Sequence, residues 1–242
     1  MNDAVKDPTT AFAEQLAKQL PVKAAYRDAV KPAAKQTGQL AQDLVKTIQL
    51  ALAPLQFAGA YQDRLRAFID RSVRSVQEAN RVSPAPQILG PIVEGIRYEP
   101  EGTPLDEMFS KLLASSMDSE RLAEAHPAYP MLIKQLSSDE ARILSTLKSQ
   151  QYNYVHTLTF NAATNLFHGP AVVEVDNLPR DQLVFPDNVP FYMQHLDKLG
   201  LAGIFQAGNQ EALFGGGKQT GVRVRSTYRL TEFGEAFVRA CT

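Results

Sequence analysis

The sequence predicts a mainly α protein with a C-terminal α+β, winged-helix-like module. Apolar residues recur at spacings of three and four through residues 1-82 and 104-136, which is the period of amphipathic helices. A stretch rich in proline and glycine separates these parts. After residue 136, helical patterns alternate with runs that are apolar at every second position, as in strands. We therefore divide the chain into an N-terminal helical region (1-82), a connector (83-103), a central helical hub (104-136) and the winged-helix-like module (137-242).

Composition limits the class of protein. The chain has 242 residues, is 44% hydrophobic and carries a net charge of -1, which is typical of a folded protein. Its single cysteine, Cys241, excludes an intramolecular disulfide and a cysteine-cluster metal site. The first residues lack the apolar core of a secretory signal, so we expect a cytoplasmic protein. Basic residues predominate at both ends and acidic ones in the middle, and these charges could meet within the fold or between the copies of a homo-oligomer.

The N-terminal region contains the most apolar run of the chain, residues 48-61. This run is shorter than the ~20 residues that a membrane-spanning helix needs, and Pro54 predicts a kink or a break within it. We interpret it as a buried core helix. The alternative is a helix that docks onto a membrane surface or a partner protein. Its contact residues would then be Ile48, Leu52, Leu55 and Phe57.

The central hub carries the clearest helix signals. Thr103 is a suitable N-cap, and Ser137 and Glu140 have the spacing of a capping box. His126 and Pro127 lie between two helical patterns, and the residue before a proline disfavours the α conformation. We interpret His126 as a structural residue at a corner between helices. A catalytic base would need a partner within hydrogen-bond reach, and none is near in sequence.

The C-terminal module shows strand patterns on either side of a helix. Residues 189-200 predict a helix that ends at Gly200, and a last helix begins at Thr231. Three consecutive glycines at 215-217 predict a hairpin tip or a loop. The predicted strands are 152-160, 171-175, 201-206 and 221-230.

The sequence contains no complete enzyme motif. Gly217 and Lys218 resemble part of a phosphate-binding loop, but Ala212 and Gln219 occupy positions where that loop needs Gly and Ser or Thr. Neighbouring carboxylates such as Asp139 and Glu140 lie in first turns of helices, where the helix dipole favours negative charge. The four histidines are widely separated. We therefore predict no catalytic residue, no cofactor and no metal site.

A winged helix also suggests contact with nucleic acid. The helix at 189-200 would enter the major groove, but it has no arginine with which to read bases. The hairpin after it is basic and could bind phosphates weakly, in a salt-dependent manner. Winged helices serve equally as protein-binding modules. The candidate contacts for a nucleic acid or another anion are Lys218, Arg223, Arg225 and Arg229.

Short motifs along most of the chain are similar to those of a known family. The first group is Tyr26-Arg27-Asp28, Lys31-Pro32 and Gly38. The second is Pro104-Leu105, Met108-Phe109, Leu112-Leu113-Ala114-Ser115, Met117-Asp118, His126-Pro127, Ile133-Lys134-Gln135-Leu136, Asp139-Glu140 and Ile143-Leu144. The last is Leu199-Gly200-Leu201, Leu230-Thr231, Phe233-Gly234, Phe237 and Ala240-Cys241. With these motifs the chain resembles the Abi-alpha (abortive infection alpha) family of bacterial proteins.

The resemblance implies a cytoplasmic role in defence against phage, and it supplies no catalytic residues. We predict a non-enzymatic defence protein of the abortive-infection type that acts through protein-protein interaction or assembly. Its partner would be a phage or host protein, or further copies of itself. Two alternatives stay open, a winged-helix DNA-binding regulator and an effector that acts on membranes through the N-terminal helices.

Overall fold

The computed structural model describes residues 59-242. Within them are seven α-helices: α1 (Gly59–Arg74), α2 (Pro86–Gly95), α3 (Pro104–Ser116), α4 (Tyr129–Ile133), α5 (Ser138–Ser149), α6 (Val189–Lys198) and α7 (Glu232–Cys241). The five strands of this part are β1 (Tyr152–Asn161), β2 (Leu166–Asp176), β3 (Ala202–Gln206), β4 (Glu211–Gly215) and β5 (Lys218–Leu230). Most of the predicted N-terminal region lies outside the described residues, including Ile48, Leu52, Leu55 and Phe57.

The described part of the chain is a mixed α+β structure, so the predicted mainly α class is wrong. Helices make up about 45% and strands about 25%, and the strands form a five-stranded antiparallel sheet. Gly169 and Pro170 interrupt the apolar pattern of β2, so the sequence predicts only 171-175 as a strand there. The short strand β4 has no counterpart among the predicted strands. Because this sheet organises the C-terminal part, we describe that part as an α+β unit and no longer as a winged-helix-like module.

The described residues form two compact units. One comprises residues 59-135 with Ala240–Thr242, and the other comprises Leu136–Arg239. The four-part division predicted from the sequence stays a prediction.

The first unit combines an apolar core with a buried polar cluster between α1 and α3. The Asp106 carboxylate accepts hydrogen bonds from Arg71 Nη2 (2.7 Å) and from the Gly102 N–H (3.0 Å). The hydroxyls of Ser72 and Ser110 lie 2.9 Å apart in the same cluster. Buried polar groups need such partners because an unsatisfied one costs about 1–3 kcal/mol. The buried apolar residues around them include Phe68, Leu89, Ile92, Phe109, Leu112 and Ile133.

The sheet of the second unit has the strand order β2-β1-β5-β3, and β4 also pairs with β5. Val222, Val224, Ser226, Tyr228 and Leu230 are buried, and the residues between them are more accessible. This alternation is what a half-buried strand requires, and it places Arg223, Arg225 and Arg229 on the opposite face. Helix α5 packs against β5, and α6 packs against β3.

Candidate functional site

Two of the four predicted basic contacts are held in an ion-pair ladder across the sheet. Arg223 binds Glu174 through two bonds, from Nε to Oε2 (2.7 Å) and from Nη2 to Oε1 (3.2 Å). Arg223 Nη1 also donates to Glu211 (3.3 Å), and Arg225 Nη2 donates to Glu211 (2.7 Å). Hydrogen bonding to Arg225 lowers the pKa of Glu211, and hydrogen bonding to Glu174 raises the pKa of Arg223. Carboxylates therefore balance these two arginines, which reduces their attraction for phosphate.

The other two predicted contacts lie at opposite ends of β5. Lys218 is exposed at the start of the strand, next to Gly216 and Gly217, which adopt positive φ angles. Arg229 lies near the end, with its guanidinium carbon 4.2 Å from the centroid of the Phe205 ring. At about 3.4 Å per residue, an extended strand separates these side chains by roughly 37 Å. The four basic residues consequently do not form one anion-binding cluster.

His126 and Pro127 are exposed in the first unit. His126 Nδ1 accepts a hydrogen bond from the Ala128 N–H (3.1 Å), and its ring centroid lies 5.6 Å from that of Tyr129. Through these contacts the His126 imidazole stabilises the local turn.

A cluster that the sequence does not predict lies at the N-terminus of α5. Asp139 is only 3% exposed and accepts hydrogen bonds from the N–H groups of Val184 and Phe185, each at 2.9 Å. Tyr192 (3.2 Å) and Arg142 (3.1 Å) donate to the same carboxylate. Burial raises the pKa of Asp139, but the four donors together outweigh it and lower that pKa below its usual value. Asp139 therefore anchors the segment before α6 to α5.

The neighbouring Glu140 connects α5 to a histidine. Its Oε1 lies 2.6 Å from His195 Nδ1, and its Oε2 accepts the Ser137 N–H (2.7 Å) in the predicted capping box. The exposed ring of Phe191 stacks on His195 with 6.4 Å between centroids. Among the described residues, the His195 side chain makes no other hydrogen bond. A carboxylate that orients a half-buried imidazole can make that imidazole a general base. In the described part of the chain, however, no nucleophilic side chain is hydrogen-bonded to the His195 imidazole.

One signal in the sequence could have revealed this cluster. Tyr192 and His195 are three residues apart on α6, so both lie on one face of that helix. Adjacent carboxylates at Asp139 and Glu140 are the matching partners, but a separation of more than 50 residues hides the pairing from local pattern analysis.

A partly buried ion pair lies near the core side of the sheet. Asp176 forms an ion pair with Arg180, close to Tyr154 and Tyr228. Burial is the main cause of the raised pKa of Tyr154 and Tyr228, and Asp176 adds to the increase for both. Both tyrosines stay neutral at physiological pH and contribute to packing, with 5.4 Å between their ring centroids.

Several exposed apolar side chains belong to β2, the terminal strand of the sheet. We call Leu166, Phe167, Val172 and Val173 the β2 apolar surface; they are 64%, 49%, 60% and 49% exposed. These side chains are accessible although the strand is paired with β1. Neighbouring strand residues point to opposite faces, so Leu166 and Val172 lie on one face of β2 and Phe167 and Val173 on the other. Exposed apolar side chains on both faces of a terminal strand are typical of interaction sites.

The backbone edge of β2 is irregular. Thr157 pairs with Val172 and Thr159 with His168, so that residues 169-171 all face Leu158. This bulge includes Pro170, which has no N–H to donate. Bulges and prolines protect an edge strand from pairing with another strand. The β2 apolar surface therefore offers side chains, more than backbone hydrogen bonds, to a partner.

No group of three or more His, Cys, Asp or Glu side chains in residues 59-242 could hold a metal ion. In the same part of the chain, no helix has the length and apolar character needed to cross a bilayer. Cys241 is buried, and this burial raises the pKa of its thiol.

Comparison with known proteins identifies the family. The model of the family described as "Abortive infection alpha" matches residues 59-241, which confirms the resemblance noted in the sequence. No curated protein and no solved structure matches the chain. The family match covers well over half of the sequence and includes both units of the described structure. The chain therefore belongs to the abortive infection alpha (Abi-alpha) family.

Proposed function

We propose that this protein is a bacterial anti-phage defence protein that acts by binding a phage or host protein, without enzyme chemistry of its own. Membership of the abortive infection alpha family suggests a role in abortive infection. The mode of action is our inference from the arrangement of the second unit.

The β2 apolar surface carries this proposal. Four large apolar side chains are about half or more exposed on one strand, and leaving them in water forgoes the stabilisation of about 25 cal/mol per Å² that burial would give. A protein partner that covers them would recover it. The ladder of Glu174, Arg223 and Glu211 ties β2, β5 and β4 together, which favours a rigid presentation of this surface.

The arrangement of charges gives less support to DNA binding. Arg223 and Arg225 were the central residues of that alternative, and both are paired with carboxylates. Release of counterions from DNA needs cations that can reach phosphates. The membrane alternative involves Ile48, Leu52, Leu55 and Phe57, which lie outside the described residues, so it stays a prediction.

A phage challenge with a surface variant tests the proposal. We expect a susceptible host that expresses the wild-type protein to give fewer plaques than the empty vector with at least one phage of a broad panel. The double variant Val172→Lys, Val173→Lys should lose this protection, because two buried lysines would make a protein interface unfavourable. Both valines are exposed, so the variant should still fold, which circular dichroism would verify.

Met131→Lys is the matched control. Met131 is an apolar residue of similar exposure, and it belongs to the first unit. The Met131→Lys variant should protect the host as well as the wild-type protein does. The proposal fails if the wild type protects against no phage, or if the double variant protects as well as the control.

A further inference from the structure

Two hairpin turns lie next to each other at one end of the sheet in the second unit. Thr159 and Gly221 form the last pair of the ladder between β1 and β5. β1 continues two residues beyond Thr159, and β5, which runs antiparallel, begins three residues before Gly221. At about 3.4 Å per residue, the two strands extend roughly 7 and 10 Å beyond this pair in the same direction. We call residues 160-167 and 213-218, which contain the two turns, the paired tips.

The paired tips expose large apolar side chains. Leu166 is 64% exposed, Phe167 is 49% exposed and Phe214 is 70% exposed. The Phe167 ring contacts the ring of Phe160, with 5.4 Å between their centroids, so an aromatic contact helps to hold this surface in place. Exposed apolar side chains at neighbouring turns are typical of a contact site for a protein or for a membrane.

The charges of the paired tips favour a membrane. Residues 159-168 and 212-221 contain no Asp or Glu. The nearest carboxylates on these strands, Glu174 and Glu211, are each bound to arginine. Lys218 is exposed and forms no ion pair among the described residues. Anionic lipid headgroups repel carboxylates and attract lysine, so this end of the sheet has the charge that an anionic bilayer requires.

The turn between β4 and β5 also suits a bilayer surface. Gly216 and Gly217 have φ angles of +57° and +75°, which are typical of a tight two-residue hairpin turn. Apart from chain neighbours, no atom would come within 4 Å of a Cβ atom added at either glycine, so the turn is open to solvent. Because the turn itself has no side chains, the flanking Phe214 and Lys218 can approach a flat surface closely.

We propose that the paired tips bind the surface of an anionic lipid bilayer. Leu166, Phe167 and Phe214 enter the boundary between headgroups and acyl chains, and Lys218 contacts lipid phosphates. Such binding depends on buried apolar area and on attraction to anionic lipids. The inference goes beyond the proposed function, because it assigns a second kind of partner. The two contacts share Leu166 and Phe167, whereas Phe214 and Lys218 belong to the paired tips alone.

Flotation of the full chain with lipid vesicles tests the inference. We expect the wild-type protein to float with vesicles made of equal parts of phosphatidylethanolamine and phosphatidylglycerol. Phe214→Glu and Leu166→Glu should each lower the partition coefficient by about tenfold or more, because each replaces an inserted apolar group with a charge that the bilayer repels. Both side chains are exposed, so these variants should fold, which circular dichroism would verify.

The contribution of Lys218 is measured separately. Lys218→Gln should lower the partition coefficient for the anionic vesicles about fivefold, as the loss of one lysine at a membrane surface implies. It should leave the weaker binding to vesicles of neutral phosphatidylcholine unchanged. Equal losses with both kinds of vesicle would overturn the assignment of Lys218 to lipid phosphates.

Ile204→Glu is the matched control for Leu166→Glu, because it makes an equivalent change in the same sheet. Ile204 is 39% exposed and pairs with Tyr228, which lies seven residues along β5 from Gly221 and so at the other end of the sheet. This variant should float like the wild type.

The double variant Val172→Lys, Val173→Lys should also float, which separates the lipid contact from the proposed protein contact. The inference is overturned if the wild type does not float with the anionic vesicles, or if Ile204→Glu loses binding as Leu166→Glu does. It is equally overturned if Phe214→Glu or Leu166→Glu floats like the wild type, because another segment of the chain would then bind the lipid.

Discussion

Asp139→Ala is expected to lower the free energy of unfolding by about 3 kcal/mol or more. The substitution removes the acceptor of four hydrogen bonds, and it leaves the N–H groups of Val184 and Phe185 without a partner. It also removes the acceptor of the Tyr192 hydroxyl and leaves the Arg142 charge unbalanced. Each unsatisfied buried donor costs about 1–3 kcal/mol. Even if water reaches some of these donors in the variant, the free energy of unfolding should still fall substantially.

Urea unfolding followed by circular dichroism measures this effect. Asp181→Ala is the control, because it removes an exposed carboxylate from the same loop and should change the free energy of unfolding by no more than about 0.5 kcal/mol. If Asp139→Ala lowers the free energy of unfolding by less than about 1 kcal/mol, the four hydrogen bonds contribute little more to stability than hydrogen bonds to water would.

The same comparison should depend on pH. The folded-state pKa of Asp139 is lowered, so its contribution to stability is complete above the unfolded-state pKa of ~3.9 and is lost as the pH falls through the folded-state value. The difference in unfolding free energy between wild type and Asp139→Ala should therefore be constant near neutral pH and shrink below about pH 4. A difference that is equally large at pH 7 and at pH 2 would contradict the role of the ionised carboxylate.

Local hydrogen bonding explains which parts of the structure the sequence predicts well. The Thr103 hydroxyl accepts the Asp106 N–H at the start of α3, and Ser137 and Glu140 bond each other reciprocally at the start of α5. Both patterns depend on residues that are three positions apart. Such short-range interactions can be predicted from a sequence because no other part of the chain is needed to form them.

The sheet and the polar clusters depend on distant partners, which is why the prediction of a mainly α fold is wrong. β2 is exposed along most of its length, so it lacks the alternation of buried and exposed residues that signals a strand. The Arg223 side chain contacts Glu174 across β1, although the two residues are 49 positions apart in the chain. The charges counted along the sequence predict a basic hairpin. In the folded sheet, however, Arg223 and Arg225 form ion pairs with carboxylates from other strands.

The second large expected effect on stability concerns Gly234 in α7, which lies close to the backbone of Leu201. A Cβ atom at this position would lie 1.8 Å from the Leu201 carbonyl oxygen. That oxygen already accepts the Thr231 N–H (3.0 Å), and the Gly234 N–H donates to Thr231 Oγ1 (2.8 Å). Gly234→Ala must push α7 away from this oxygen and weaken both bonds. We expect the free energy of unfolding to fall by about 3 kcal/mol or more, measured by urea unfolding.

Gly90→Ala provides a control with a much smaller expected effect. Gly90 lies inside α2 directly before Pro91, and apart from its chain neighbours and its own helix backbone no atom would come within 4 Å of an added Cβ atom. Alanine reduces the conformational entropy of the unfolded chain, but a Cβ atom before a proline disfavours the helical conformation. Because these two effects oppose each other, the free energy of unfolding should change by no more than about 1 kcal/mol. A large loss at position 234 beside a small change at position 90 would show that the close approach at Leu201 requires glycine in α7. Equal effects of the two substitutions would remove that requirement.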